Sequence, residues 1–210
     1  MWQPGSRCVS IVGMAPDTEV LAEAVAPPMP RVPLLDAARA PLTARPYFAG
    51  GDPGPIVAAL ASVPELLEVA LPFLSMVLNA SAVDARTKEI VIVRTSARQD
   101  CRYCIDAHSV VALDTGLTVD EVRTLTAPGP VSLPDPDESA LLDWIDAVAG
   151  AIGAVPDAVA DRLAGSYRDF EIVELTLLIG ATMMLNRFCT SLSLPTSAEV
   201  AARLAREGLA

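Results

Sequence analysis

The chain has 210 residues, 52% of them hydrophobic and only 4% aromatic, with a formal net charge of −11 and an isoelectric point near 4.4. That length suits one sizeable domain, and a core drawn from Ala, Leu, Val and Ile suits close packing of helix on helix. The acidic balance repels phosphate backbones and no dense run of Lys or Arg offsets it, so nucleic acid is excluded as an expected partner.

In chain order, residues 1–30 read as a loosely ordered lead-in. A short helix over 18–26 is ended by Pro27, Pro28, Pro30 and Pro33. Met14 and Met29 are alternative starts. Pro4, Gly5, Pro16 and Asp17 interrupt any apolar signal segment, so a cytoplasmic location is expected. Residues 31–210 form the expected single all-α domain. Mean hydropathy is +0.42, yet neither long apolar stretch offers about 20 uninterrupted apolar residues for a bilayer span. Glu174 interrupts the run from Ile172 to Leu185. Pro64, Glu65, Glu68 and Pro72 break the run from Ile56 to Val83. No membrane is expected as a partner, and the surplus apolar surface points to a subunit interface.

The Pro/Gly-rich residues 46–55 read as a loop. Pro64 opens a helix to about Asn79, which Pro72 should kink. Asp84 caps a helix to about Arg98, and Gln99-Asp100 breaks it. Ile90-Val-Ile-Val93 has strand composition, but its charged flanks favour helix. The next helix runs from near Cys101 to Asp114 and stops at Gly116. Thr118 and Glu121 form a capping box, and Asp135, Pro136 and Glu138 open a helix to about Ala149. Helices over 156–164 and 169–192 come next, and Thr196 to Glu199 caps the last. A weak internal repeat at an offset of 85 residues pairs Glu89 with Glu174, Arg102 with Arg187, Tyr103 with Phe188 and Cys104 with Cys189. It replaces Cys101 by Asn186 and His108 by Ser193. It suggests a redox half over about 56–126 and a second half, without the redox pair, over about 135–207.

The chemistry concentrates in one run. Cys101 and Cys104 form a Cys-x-x-Cys pair, and His108, the one histidine, stands four residues beyond Cys104. On a helix that spacing puts the imidazole on the face of the Cys104 sulfur. The N-terminal end of a helix favours thiolate, and a thiolate can attack a peroxide oxygen, giving a sulfenic acid that a neighbouring thiol condenses into a disulfide. His108 can act as the base or return a proton to the departing alkoxide. Other uses of such a pair fit poorly. Zinc wants four ligands and no second cluster exists, so no metal is expected. A c-type haem site needs His directly after the second Cys, where Ile105 stands. A zinc deaminase needs a second, upstream His. Tyr103 could orient substrate or simply pack. Cys189 reads as a buried apolar thiol, Cys8 as incidental, Asp106 as a solvent-facing acid, and Trp144, Met183 and Met184 as core or interface.

The pattern Glu89-x11-Cys101-x2-Cys104-x3-His108 resembles the signature of the alkylhydroperoxidase D-like (AhpD-like) group of the carboxymuconolactone decarboxylase family. Arg94 to Ala97, Ala112 and Gly116 fit as well, as does the later stretch from Glu171 to Phe188, and the likeness spans roughly residues 31–195. The resemblance implies an all-α AhpD-like helical bundle, usually oligomeric, commonly a trimer or hexamer. It implies a hydroperoxide reductase with Cys104 as the peroxide-reacting thiol, Cys101 as the resolving thiol, and Glu89 and His108 as a proton relay. No cofactor is implied. Electrons would come from a thiol or lipoyl-type reductant, or would pass to a peroxiredoxin partner. Two rival expectations are a lactone-decarboxylating lyase, which has no use for a dithiol, and a non-enzymatic redox sensor whose disulfide changes assembly.

Overall fold

The computed structural model describes residues 29–210; the expected helix over 18–26 and Cys8 lie outside them. The described residues are all-helical, without strands. A short 3-10 turn, Arg45–Phe48, precedes α1 (Pro55–Leu60), α2 (Pro64–Leu78), α3 (Ala85–Arg98), α4 (Arg102–Asp114) and α5 (Val119–Thr126). Beyond these lie α6 (Pro136–Gly150), α7 (Asp157–Ser166), α8 (Asp169–Leu192) and α9 (Ala198–Glu207).

Local chemistry sets most of these boundaries. The Asp84 side chain accepts the Thr87 N–H at the start of α3, Thr118 and Glu121 form a reciprocal capping box on α5, and Asp135 caps α6 ahead of Pro136. The stretch expected as a loop over 46–55 instead holds the end of the 3-10 turn and the first residue of α1, which uses Pro55 as its first helical residue. The last helix is capped by Ser197, whose hydroxyl accepts the Val200 N–H. Thr196 is not its cap: its hydroxyl donates to Asp106 Oδ2 at 2.9 Å.

Helix α3 is the centre of the molecule and packs on α4, α5, α6 and α8. Nine consecutive residues, Lys88 to Ser96, are buried. A helix covered on every side needs no amphipathic stripe, which is why Ile90 to Val93 carries strand-like composition in a helix. Its two buried cations are fully engaged. Arg94 bridges to Asp146 at 2.6 Å on α6 and donates to the carbonyls of Leu125, Ala127 and Gly129. Lys88 donates to the carbonyls of Val77 and Asn79 and pairs with Glu174 at 2.6 Å on α8. Charge removed from water is tolerated only with such partners, and these contacts fix α3 against its neighbours.

The 24 residues of α8 are apolar enough by composition to cross a bilayer. Here they form a core helix, with Leu175, Leu178, Ile179 and Ala181 buried in the main hydrophobic cluster. Trp144 and Met183 pack against that cluster, whereas Met184 is half exposed. The 85-residue offset does not carry one helix onto another. Cys104 lies in the first turn of α4 and Cys189 in the last turn of α8; Cys101 precedes a helix, whereas Asn186 lies inside one.

Candidate active site

The site begins at the break between α3 and α4. Asp100 takes a left-handed conformation, φ 51°. Its N–H donates to the Ala97 carbonyl at 3.2 Å, and the Cys101 N–H reaches back to the Ser96 carbonyl at 3.0 Å. This pair of bonds is a Schellman closure, with Asp where glycine is more usual. The chain turns at once into α4, so Cys101 becomes its N-cap residue and Cys104 its third. Both sulfurs therefore sit at the positive end of the α4 dipole.

Cys101 and Cys104 are free thiols hydrogen-bonded to each other, with their sulfurs 2.9 Å apart. This bond lowers the Cys101 thiol well below its ordinary range, helped by Cys189 and the Cys104 backbone N–H against the cost of burial. The same bond holds the Cys104 thiol up, since losing that proton would break it. Cys189 is pushed up to about 12, first by its interaction with Cys101. Of the three sulfurs, Cys101 is thus the one the surroundings favour as a thiolate.

Beside the pair, Glu89 Oε2 on α3 lies 2.9 Å from His108 Nδ1 on α4. Glu89 is buried and His108 is a quarter exposed. With Glu89 ionised, Nδ1 carries the proton and donates it, leaving Nε2 as the basic nitrogen. No residue among those described holds Nε2. A cleft of about 890 Å3 reaches α4 at Tyr103 and Ala107, walled by Leu34, Phe48, Thr196 and Val200. Tyr103 also borders a second cleft of about 430 Å3, with Ile56, Leu71 and Leu185. Burial raises the Tyr103 hydroxyl, which keeps its proton.

The structure thus brings together Glu89, Cys101, Cys104 and His108. It corrects two expectations. Asp106 is not solvent-facing: it is buried, paired with Arg102 at 2.7 Å and bonded by Thr196, because the lead into α9 covers this face of α4. Cys189 is buried as expected, but not in a merely apolar setting. The sulfurs of Cys101, Cys104 and Cys189 all lie within 4.8 Å of one another. Asn186, one turn before Cys189, is fully buried and accepts from Ser96 Oγ at 3.1 Å. The pairing of Cys104 with Cys189 in the weak repeat was the one signal in the sequence that pointed at the third thiol.

Comparison with known proteins shows what this segment is similar to. Residues 64–147 match the model of the carboxymuconolactone decarboxylase family. The uncharacterized protein YdfG of Bacillus subtilis is 28% identical over 108 residues, 51% of this chain and 74% of that one. An uncharacterized peroxidase-related protein from Ralstonia eutropha, with an alkylhydroperoxidase AhpD core, superposes with a TM-score of 0.71 at 20% identity. It covers 83% of this chain and 96% of that one. The debrominase Bmp8 superposes with a TM-score of 0.62 at 18% identity, over 72% of this chain and 81% of its own. The matched segment contains the whole Glu89-to-His108 constellation and is similar to the carboxymuconolactone decarboxylase family, and the described residues share the all-helical fold of the AhpD-like structures.

Proposed function

We propose that this protein is a thiol-dependent hydroperoxide reductase. The observation that carries the reading is the adjacency of the 2.9 Å Cys101–Cys104 thiol pair and the 2.9 Å Glu89–His108 contact at one helix start. Cys104 is the attacking thiol. It is 5% exposed where Cys101 is wholly covered, and it lies one turn from the imidazole. His108 Nε2 takes its proton while Glu89 holds Nδ1. The Cys104 thiolate attacks the distal peroxide oxygen; the O–O bond breaks, and the alkoxide leaves with the proton from His108 as an alcohol. The Cys101 thiolate then attacks the Cys104 sulfenic acid, forming the disulfide and expelling hydroxide, which takes a proton from solvent and leaves as water. The environment that lowers Cys101 suits it to resolve and to leave: an incoming thiol attacks Cys104 and displaces Cys101, and a low-pKa thiol departs fastest. A thiol or lipoyl-type dithiol, or a peroxiredoxin partner, completes the cycle.

The test is stoichiometric. One equivalent of an alkyl hydroperoxide should consume two thiols and yield one Cys101–Cys104 disulfide, with Cys104→Ser inactive. Activity on a lactone that survives loss of both cysteines would replace this reading with the lyase. Assembly that changes on oxidation without peroxide turnover would replace it with the sensor.

Self-association belongs to the same proposal. Val69, Phe73 and Met76 form an exposed apolar stripe on α2, beside Val173, Leu177 and Met184 on α8, with an apolar groove of about 620 Å3 along α8. A second copy of this chain fits that face. Met76→Glu with Val173→Glu should reduce the mass in light scattering to that of the monomer. An unchanged mass would exclude this face.

A further inference from the structure

The third cysteine has no place in the two-thiol cycle, yet the fold delivers it to the same spot from the other half of the chain. Cys189 is in the last turn of α8, buried in one small cluster with Cys101, Cys104, Ala59 and Leu194. The three sulfurs lie within 4.8 Å of one another. A disulfide holds its sulfurs about 2 Å apart, so forming one here draws two of these three sulfurs together. We propose that Cys189 is a third redox thiol, which takes the disulfide over from Cys101 and forms a Cys104–Cys189 bond tying α4 to α8.

The step rests on the reading of Cys101 and Cys104 as a redox pair, and it needs no further oxidant. The Cys189 sulfur attacks Cys104 in the Cys101–Cys104 disulfide. The Cys104–Cys189 bond forms, the Cys101–Cys104 bond breaks, and the Cys189 proton ends on the Cys101 sulfur. One thiol and one disulfide become another thiol and another disulfide. Cys101 is the sulfur best stabilised as an anion here, so it is the natural leaving group. Its departure frees the Cys101 sulfur to take up its place at the helix start again. In the reduced state Cys101 holds Cys189 as a neutral thiol; once Cys101 is in a disulfide, its charge no longer opposes ionisation of Cys189. A soft metal ion on the same three sulfurs is the rival use, since thiolates are its preferred ligands.

Diamide tests this apart from peroxide chemistry, since it oxidises two thiols to a disulfide without any peroxidatic step. The full-length protein is treated with one equivalent, quenched by rapid alkylation under denaturing conditions, and mapped by peptide mass spectrometry. Wild type should show both Cys101–Cys104 and Cys104–Cys189 linkages. Cys101→Ser should give Cys104–Cys189 as its intramolecular product. Wild-type Cys189 recovered wholly as a free thiol, with Cys101–Cys104 as the sole linkage, would overturn the proposal. So would three unoxidised thiols in a protein that gains a thiolate-to-metal charge-transfer band with one equivalent of cadmium. Failure with hydroperoxide but success with diamide would count against the peroxidase reading and leave Cys189 in place.

Discussion

Two helices end in the same way near the candidate site. At the end of α3, Asp100 is left-handed at φ 51° and the Cys101 N–H closes on the Ser96 carbonyl. At the end of α8, Ser193 is left-handed at φ 53° and the Leu194 N–H closes on the Cys189 carbonyl. Cys101 and Leu194 then enter the same small buried cluster. Beyond the turn the two chain segments part. After Asp100 a new helix starts immediately, so Cys101 gains a helix N-terminus and, one turn on, Cys104 and His108. After Ser193 the chain passes through Pro195 and Thr196 before α9 begins, and its one thiol lies before the turn. The same backbone turn thus yields a thiol pair at one helix end and a single buried thiol at the other. The difference lies in the helix that begins at once after Asp100, and in the proton partner that α3 holds against it.

Substitutions can break this contrast in order of expected effect. Cys104→Ser should abolish peroxide turnover, and a thiol titration before and after peroxide checks it. The acids of the two halves should separate cleanly. Glu89→Gln removes the carboxylate that holds His108 Nδ1, and should lower turnover about 100-fold, within the usual range for general acid–base work. Glu174→Gln leaves the buried Lys88 with carbonyl partners only. It should cost about 1–3 kcal/mol in denaturant unfolding while leaving turnover of the folded protein unchanged. If both variants lost only stability, the relay would have no catalytic part.

Smaller effects probe the turns. Asp100→Val and Ser193→Val each force a β-branched residue into the left-handed region, at a cost of about 1–3 kcal/mol. Asp100→Val alone should also raise the Cys101 thiol, read as a loss of thiolate absorbance at neutral pH, because it disturbs the start of α4. The smallest effect is in acid. The Arg86 guanidinium, with Thr118 behind it, holds Glu121 down to about 2 from an ordinary 4.5. A folded-state value below the unfolded one stabilises above 4.5, and that contribution is lost as pH falls through about 2. Glu121→Gln should flatten this part of the acid limb in a pH series of thermal melts.

The helices most legible in the sequence are those with side-chain caps. Asp84, Thr118 with Glu121, and Asp135 with Pro136 each mark a start within a few residues of the backbone N–H that the cap accepts. The Glu89–Cys101–Cys104–His108 spacing was equally legible, because one helix and its immediate predecessor carry all four. Burial that depends on distant elements was not. Asp106 reads as a surface acid until Thr196, 90 residues on, covers it. Cys189 reads as an inert thiol because only the packing of α8 on α3 and α4 brings it to Cys101. Short α1 was hidden by its Pro and Gly lead, and Thr196 stands where a cap would, one residue before the serine that caps α9.

The central claim is that Cys101 and Cys104 are an electron-donating pair served by Glu89 and His108. Titration of reduced protein with an alkyl hydroperoxide tests it most directly. The account predicts two thiols lost and one alcohol formed per equivalent, with a Cys101–Cys104 disulfide as the first linkage mapped. A thiol count unchanged by peroxide would contradict it.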